Sequence, residues 1–177
     1  MDKISTSQNE QYEQASAQFG DAIGRLAYVY EKDAEKRKDL VQDIHFELWR
    51  SLKIFDGRAS LRTWVYRIAH NTAASHVLKN KRFRQTQFID IDDIADVPDD
   101  TDYVRLFEDI DQLETLMSLI QKLSPAEKQI ISLYLEDIEA AEIGEIAGLS
   151  SAAVATRIHR IKHKLAKIYK KGDHYDK

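Results

Sequence analysis

The chain has 177 residues, 43% of them hydrophobic and 32% charged, with a formal net charge of -4, a balance that suits a folded globular protein and excludes a disordered tail. It contains no cysteine, which excludes a disulfide framework and any thiolate metal site. No apolar run approaches the roughly 18 residues of a membrane span, and MDKISTSQNEQYEQ lacks the apolar core of a signal peptide, so a cytoplasmic protein with no membrane insertion is expected.

Two prolines, six glycines and almost no period-two alternation point to an all-α fold. After a flexible tail over residues 1–14, Phe19, Ile23, Leu26 and Tyr30 recur at helical spacing, as do Leu40, Val41, Ile44, Leu48 and Leu52 in a second helix. FDGRAS, residues 55–60, reads as a turn pivoting on Asp56-Gly57. Ser60 can cap a third helix with Leu61, Val65, Ile68 and Thr72 on its apolar side. The three helices form one expected domain over 15–88.

Charge then divides the chain. From Ser60 to Phe88 there are six Lys or Arg residues, among them Arg62 and Arg67, and no acid. Residues 89–111 invert this, with acids at nearly every second position against Arg105 alone, and read as an acidic linker leading into the next helix. A second small helical domain over 112–170 starts with Leu113, Leu116 or Met117, Ile120 and Leu123. Ser124-Pro125-Ala126-Glu127 combines a capping box with a proline at the first helical position. A short helix with Ile143, Ile146 and Ala147 ends at Gly148, whose tolerance of positive φ suits a helix-turn-helix corner. The last helix puts Val154, Ile158, Ile161, Leu165 and Ile168 on one stripe and Thr156, His159, Arg160, His163 and Lys167 opposite, and it is acid-free from Ser151 to Lys171. Residues 171–177 form a flexible polar tail.

An acid-free helix behind such a corner is the arrangement that enters a major groove, base edges meeting its first turns and phosphates its later cations. On the third helix Trp64, Arg67 and Asn71 share one edge with His70 beside them, a set able to stack on and hydrogen-bond an unpaired base. The alternative is that Trp64 is core and Asn71 a surface amide. On the second helix Asp39, Gln42, Asp43, Phe46, Trp49 and Arg50 lie opposite the core stripe: either the bundle covers both sides, or this is a docking face with an apolar centre. No Gly-rich phosphate loop, cysteine nucleophile or HExxH pair suggests an enzyme, and no cofactor is implied. His159 and His163 stand at i, i+4 without an evident third ligand, so no metal site is assigned.

KDLVQDIHFELW followed by FDGRASLRTWVYRIAHN resembles the second conserved region of bacterial RNA polymerase sigma factors of the extracytoplasmic-function type, and Leu123 to Leu165 resembles their fourth region. The resemblance implies a transcription initiation factor with core RNA polymerase and promoter DNA as partners, and an anti-sigma factor as a partner common in the family. It implies that Asp39, Gln42, Asp43, Phe46 and Trp49 face the polymerase. Trp64, Arg67, His70 and Asn71 would meet the melted minus-ten strand, and Ser151, Thr156, Arg157, His159, Arg160 and Lys164 the minus-thirty-five duplex. The acidic linker would pass through a nucleic-acid channel of the polymerase. Lys36-Arg37-Lys38, Ser75, Lys79 and Ala155 depart from the family pattern. The rival reading is a helix-turn-helix regulator that binds duplex operators without polymerase.

Overall fold

A computed structural model of the chain describes the backbone of residues 2–83 and 110–172, and the side chains of residues 8–79 and 115–170. Within these residues the fold is all-α: α1 (Asp2–Tyr30), α2 (Ala34–Leu52), α3 (Leu61–Phe83), α4 (Ile110–Ile120), α5 (Pro125–Leu135), α6 (Ala140–Ala147) and α7 (Ser151–Gly172). The acidic segment up to residue 109, the cations Lys81, Arg82 and Arg84, and the last five residues lie outside the described side chains.

The first module is a bundle of α1, α2 and α3. Asp33 caps α2, its carboxylate accepting from the backbone N–H groups of Glu35 and Lys36 at 3.0 Å. Leu40, Ile44, Leu48 and Leu52 are buried at the expected heptad-like spacing against Phe19, Ile23, Leu26 and Tyr30 of α1. Gly57 takes a φ of 75° in the turn, and Ser60 Oγ accepts from Thr63 N–H at 3.0 Å to start α3.

Two expectations are corrected here. Residues 8–14 belong to the same continuous helix as the core stripe of α1, because Gln8 and Tyr12 find polar partners on α2: Gln8 Nε2 donates to the Trp49 carbonyl at 2.7 Å, and the Tyr12 hydroxyl meets His45 Nδ1 at 3.0 Å. On α3 the buried side is Val65, Tyr66, Ala69, His70 and Ala73, whereas Leu61, Ile68 and Thr72 are only half-buried. The helix packs on α1 and α2 and also on α5 and α6, and its buried face is one stripe turned by about a third of a turn from the expected one.

The second module runs from α4 to α7. Its capping box forms as expected, with Ser124 N–H donating to Glu127 Oε2 at 2.8 Å and Glu127 N–H donating to Ser124 Oγ at 3.4 Å. Ile130, Leu133, Ile143, Ile146, Val154, Ile158 and Ile161 fill its interior. Gly148 closes α6 with φ 71°, and Leu149 N–H donates to the Gly144 carbonyl at 2.9 Å. Gly144 is equally constrained: a Cβ there would stand 2.5 Å from the Leu149 carbonyl oxygen, so the corner needs a glycine inside α6 as well as one after it.

Candidate nucleic-acid and partner interfaces

Three surfaces carry the residues singled out from the sequence. The outer face of α2 is uncovered over most of its length. Asp39, Gln42 and Asp43 are exposed, Phe46 is 57% exposed, and Ile54 just beyond the helix is 73% exposed. Trp49 is partly covered by α1, its Nε1 donating to Asn9 Oδ1 at 2.9 Å. An apolar centre ringed by carboxylates and amides is the composition of a protein-docking patch.

The α3 residues separate. Trp64 is half-buried, its Nε1 donating to Ser51 Oγ at 2.9 Å and its ring 5.3 Å from that of Phe55, so it packs the α2–α3 corner. His70 is 2% exposed and unavailable to a ligand at the surface in this arrangement. The Tyr30 hydroxyl donates to the Pro125 carbonyl at 3.2 Å, which leaves its oxygen to accept from His70 Nδ1–H at 3.1 Å and fixes the neutral tautomer. Burial drives the His70 pKa down to about 3. Of the expected base-recognition set, Asn71 alone is exposed, on an edge continued by Ser75 and Lys79. Arg67 donates from Nη2 to the Glu145 carbonyl of α6 at 2.7 Å.

Arg62, absent from the expected site set, is the most heavily engaged cation of α3 among the described residues. Its Nε donates to Glu142 Oε1 at 2.8 Å and its Nη2 to Glu142 Oε2, while Thr63 Oγ1 donates to the same carboxylate at 3.3 Å. The acid-free run beginning at Ser60 was the available signal for it; its partner lies 80 positions away and could not be read from spacing.

On α7 the expected stripe is buried at Val154, Ile158, Ile161 and Leu165 and half-buried at Ile168; Thr156, His159 and Arg160 are exposed opposite it, and Ser151 and Arg157 are exposed at its flanks. Thr156 Oγ1 donates to the Ala152 carbonyl at 3.0 Å, a back-bond to its own helix. The His159 and His163 rings meet edge-on at 4.4 Å, and no group of three metal-binding side chains occurs among the described residues. Lys164 Nζ donates to Glu127 Oε1 at 2.9 Å and Oε2 at 3.1 Å, so in this arrangement it braces α5. Burial opposes ionisation of Glu127, yet hydrogen bonds from Ser124 and Lys164 outweigh it and hold the carboxyl below its usual range. No helix among the described residues is long and apolar enough to cross a membrane.

Two family models match the chain. The family described as Sigma-70 region 2 matches residues 17–83, and Sigma-70, region 4 matches residues 113–165. The chain is 29% identical over 145 residues to the RNA polymerase sigma factor YlaC of Bacillus subtilis, covering 80% of this chain and 83% of that protein. It is 26% identical over 160 residues to the ECF RNA polymerase sigma factor SigW of the same organism, covering 84% and 83%. Among solved structures it resembles CnrH in complex with the cytosolic domain of CnrY, with TM-score 0.65, 22% identity and 95% of each chain covered. The sigma factor RpoE from Bartonella quintana, in complex with the anti-sigma factor NepR, gives TM-score 0.66 and 20% identity, covering 90% of this chain and 96% of that one.

Proposed function

The chain belongs to the sigma-70 family, in its extracytoplasmic-function group, and from that premise we propose how its two modules divide the work of transcription initiation. A sigma factor binds core RNA polymerase, directs it to promoters and assists their melting. The first module, residues 15–88, docks on the polymerase through Asp39, Gln42, Asp43, Phe46 and Trp49, the exposed face of α2. It meets the melted minus-ten strand along α3 through Asn71 and Arg67, a hydrogen-bonding amide and a guanidinium able to hold phosphate or base edges. Trp64 and His70 act from behind by packing, not by contact. The second module, residues 112–170, lays α7 in the minus-thirty-five major groove with Ser151, Thr156, Arg157, His159 and Arg160 outward.

The observation that carries this reading is one chain holding both an exposed acidic and apolar face on α2 and an exposed cationic face on α7. A helix-turn-helix regulator needs only the second. Binding supplies the whole mechanism: contacts made only with unpaired DNA shift the duplex toward the melted state, with no covalent step assigned to any residue. An anti-sigma factor is the further partner, a reading supported by the Bartonella quintana sigma factor RpoE, which is solved in complex with the anti-sigma factor NepR.

The test is transcription from a genomic fragment library by core polymerase freed of its own sigma subunit, with and without this protein. New, specific start sites are expected. Failure to bind core polymerase at all, with unaided footprints on palindromic duplexes, would replace this reading by the operator-binding one.

A further inference from the structure

We propose that the cleft between α1, α3, α4 and α5 binds a small, mostly apolar molecule that carries an N–H or O–H donor and no negative charge, with His70 Nε2 as the acceptor. As the described residues bound it, the cleft has a volume of about 410 Å³, within the range of small-molecule sites. Leu26 and Val29 of α1, Leu116 and Met117 of α4 and Leu135 of α5 supply its apolar wall. Met117 is unbranched and only half-buried, so this wall adapts to the shape of an occupant. None of the side chains assigned above to contact with polymerase or DNA lines the cleft, and the inference stands apart from that assignment.

The polar groups of the inner wall are acceptors. His70, shut off from the outer surface, lines this wall, and its Nδ1–H is committed to the Tyr30 hydroxyl at 3.1 Å. That tautomer leaves the free lone pair on Nε2, which is buried and has no hydrogen-bond partner among the described residues. A buried acceptor without a donor is unfavourable, and a ligand donor that reaches it removes the penalty. Ser132 gives its one hydroxyl proton to the Lys128 carbonyl at 2.6 Å and keeps only lone pairs to offer the cleft. Charge at the rim narrows the class further. Arg25 there is paired with both oxygens of Glu136, at 2.6 and 2.7 Å, while the exposed Asp137 carboxylate has no partner among the described residues. The remaining negative charge disfavours carboxylates and phosphates.

Indole and benzofuran are the probes, because the two rings share a shape and differ by one N–H against one ether oxygen. Both are titrated by nuclear magnetic resonance into the full-length protein, isotope-labelled in the rings of its six histidines. Indole is expected to move the His70 Nε2 resonance and to bind about three- to tenfold more tightly than benzofuran, the strength of one hydrogen bond to a buried neutral acceptor. His70→Phe keeps an aromatic ring in the wall and removes the acceptor. Its spectrum identifies the His70 resonance by loss, and once helical circular dichroism has verified its fold, the two probes should bind it equally. The comparison of affinities on the parent needs no variant. Benzofuran binding the parent as tightly as indole, or a His70 Nε2 resonance that indole leaves unmoved, assigns the acceptor to water and overturns the proposal.

Discussion

His70 gives the chain a stability that depends on pH in the window where imidazoles titrate, to which His45, lowered less by partial burial, adds in the same direction. Its imidazole is buried against Tyr30 and Tyr66, with ring centroids at 5.8 and 6.4 Å, beside a cleft that Arg25, Glu136 and Asp137 also line. The folded pKa is about 3 against an ordinary 6.5, so the native state keeps the ring neutral while the unfolded chain takes up the proton. For a depressed pKa, the stabilisation is fully present above about pH 6.5. It is lost as pH falls, at about 1.4 kcal/mol per pH unit, until the folded ring itself titrates. Between pH 7.5 and pH 5 the loss amounts to about 2 kcal/mol, a large share of a typical domain stability. Urea denaturation followed by helical circular dichroism at those two pH values measures it. In His70→Gln, which cannot titrate, the baseline stability is lower but that difference should shrink by about the same 2 kcal/mol. Glu31 and Glu127, both held below the usual carboxylate range, lose their contributions at still lower pH in parent and variant alike. An unchanged pH dependence in His70→Gln would refute the reasoning.

Three further outcomes are expected. Ser124→Ala removes one half of the α5 capping box and should cost about 1 kcal/mol, seen as a fall of a few degrees in Tm by calorimetry; no shift would mean the cap is redundant. Gly144→Ala places its Cβ against the Leu149 carbonyl, whereas Gly148→Ala meets open space and only the strain of φ 71°. Gly144→Ala should therefore be the more damaging, by about 2–3 kcal/mol against about 1, with duplex-DNA binding lost first because the α6–α7 corner must move. Phe46→Ala, at a 57% exposed site, should leave thermal stability within about 0.5 kcal/mol of the parent while weakening core-polymerase binding by about tenfold or more in a pull-down titration.

Local signals in the sequence carried far. Periodicity located the α2 and α7 core stripes, the Ser124 to Glu127 spacing located a cap, and Gly148 located the corner, because each depends on contacts within a few residues. Charge runs marked α3 and α7 as cationic helices without saying which cations remain free. That difference decided the site. Lys164 belongs to the acid-free run yet braces Glu127. Thr156, His159 and Arg160 stay outward because they lie opposite the stripe that packs.

What the sequence by itself determined is the all-α class, the order of its helices and the two blocks that mark the family. What only the tertiary structure decided is which faces of those helices remain available. His70 is buried because α1 and α5 close over α3, and Arg62 is occupied because Glu142 arrives from the far module. Gln8 and Tyr12 are helical partners of α2 instead of part of a tail. The physical reason is common to all three: helix periodicity records an apolar stripe facing one neighbour, but a buried imidazole or a paired guanidinium is fixed by polar groups tens of residues away, which leave no period in the chain.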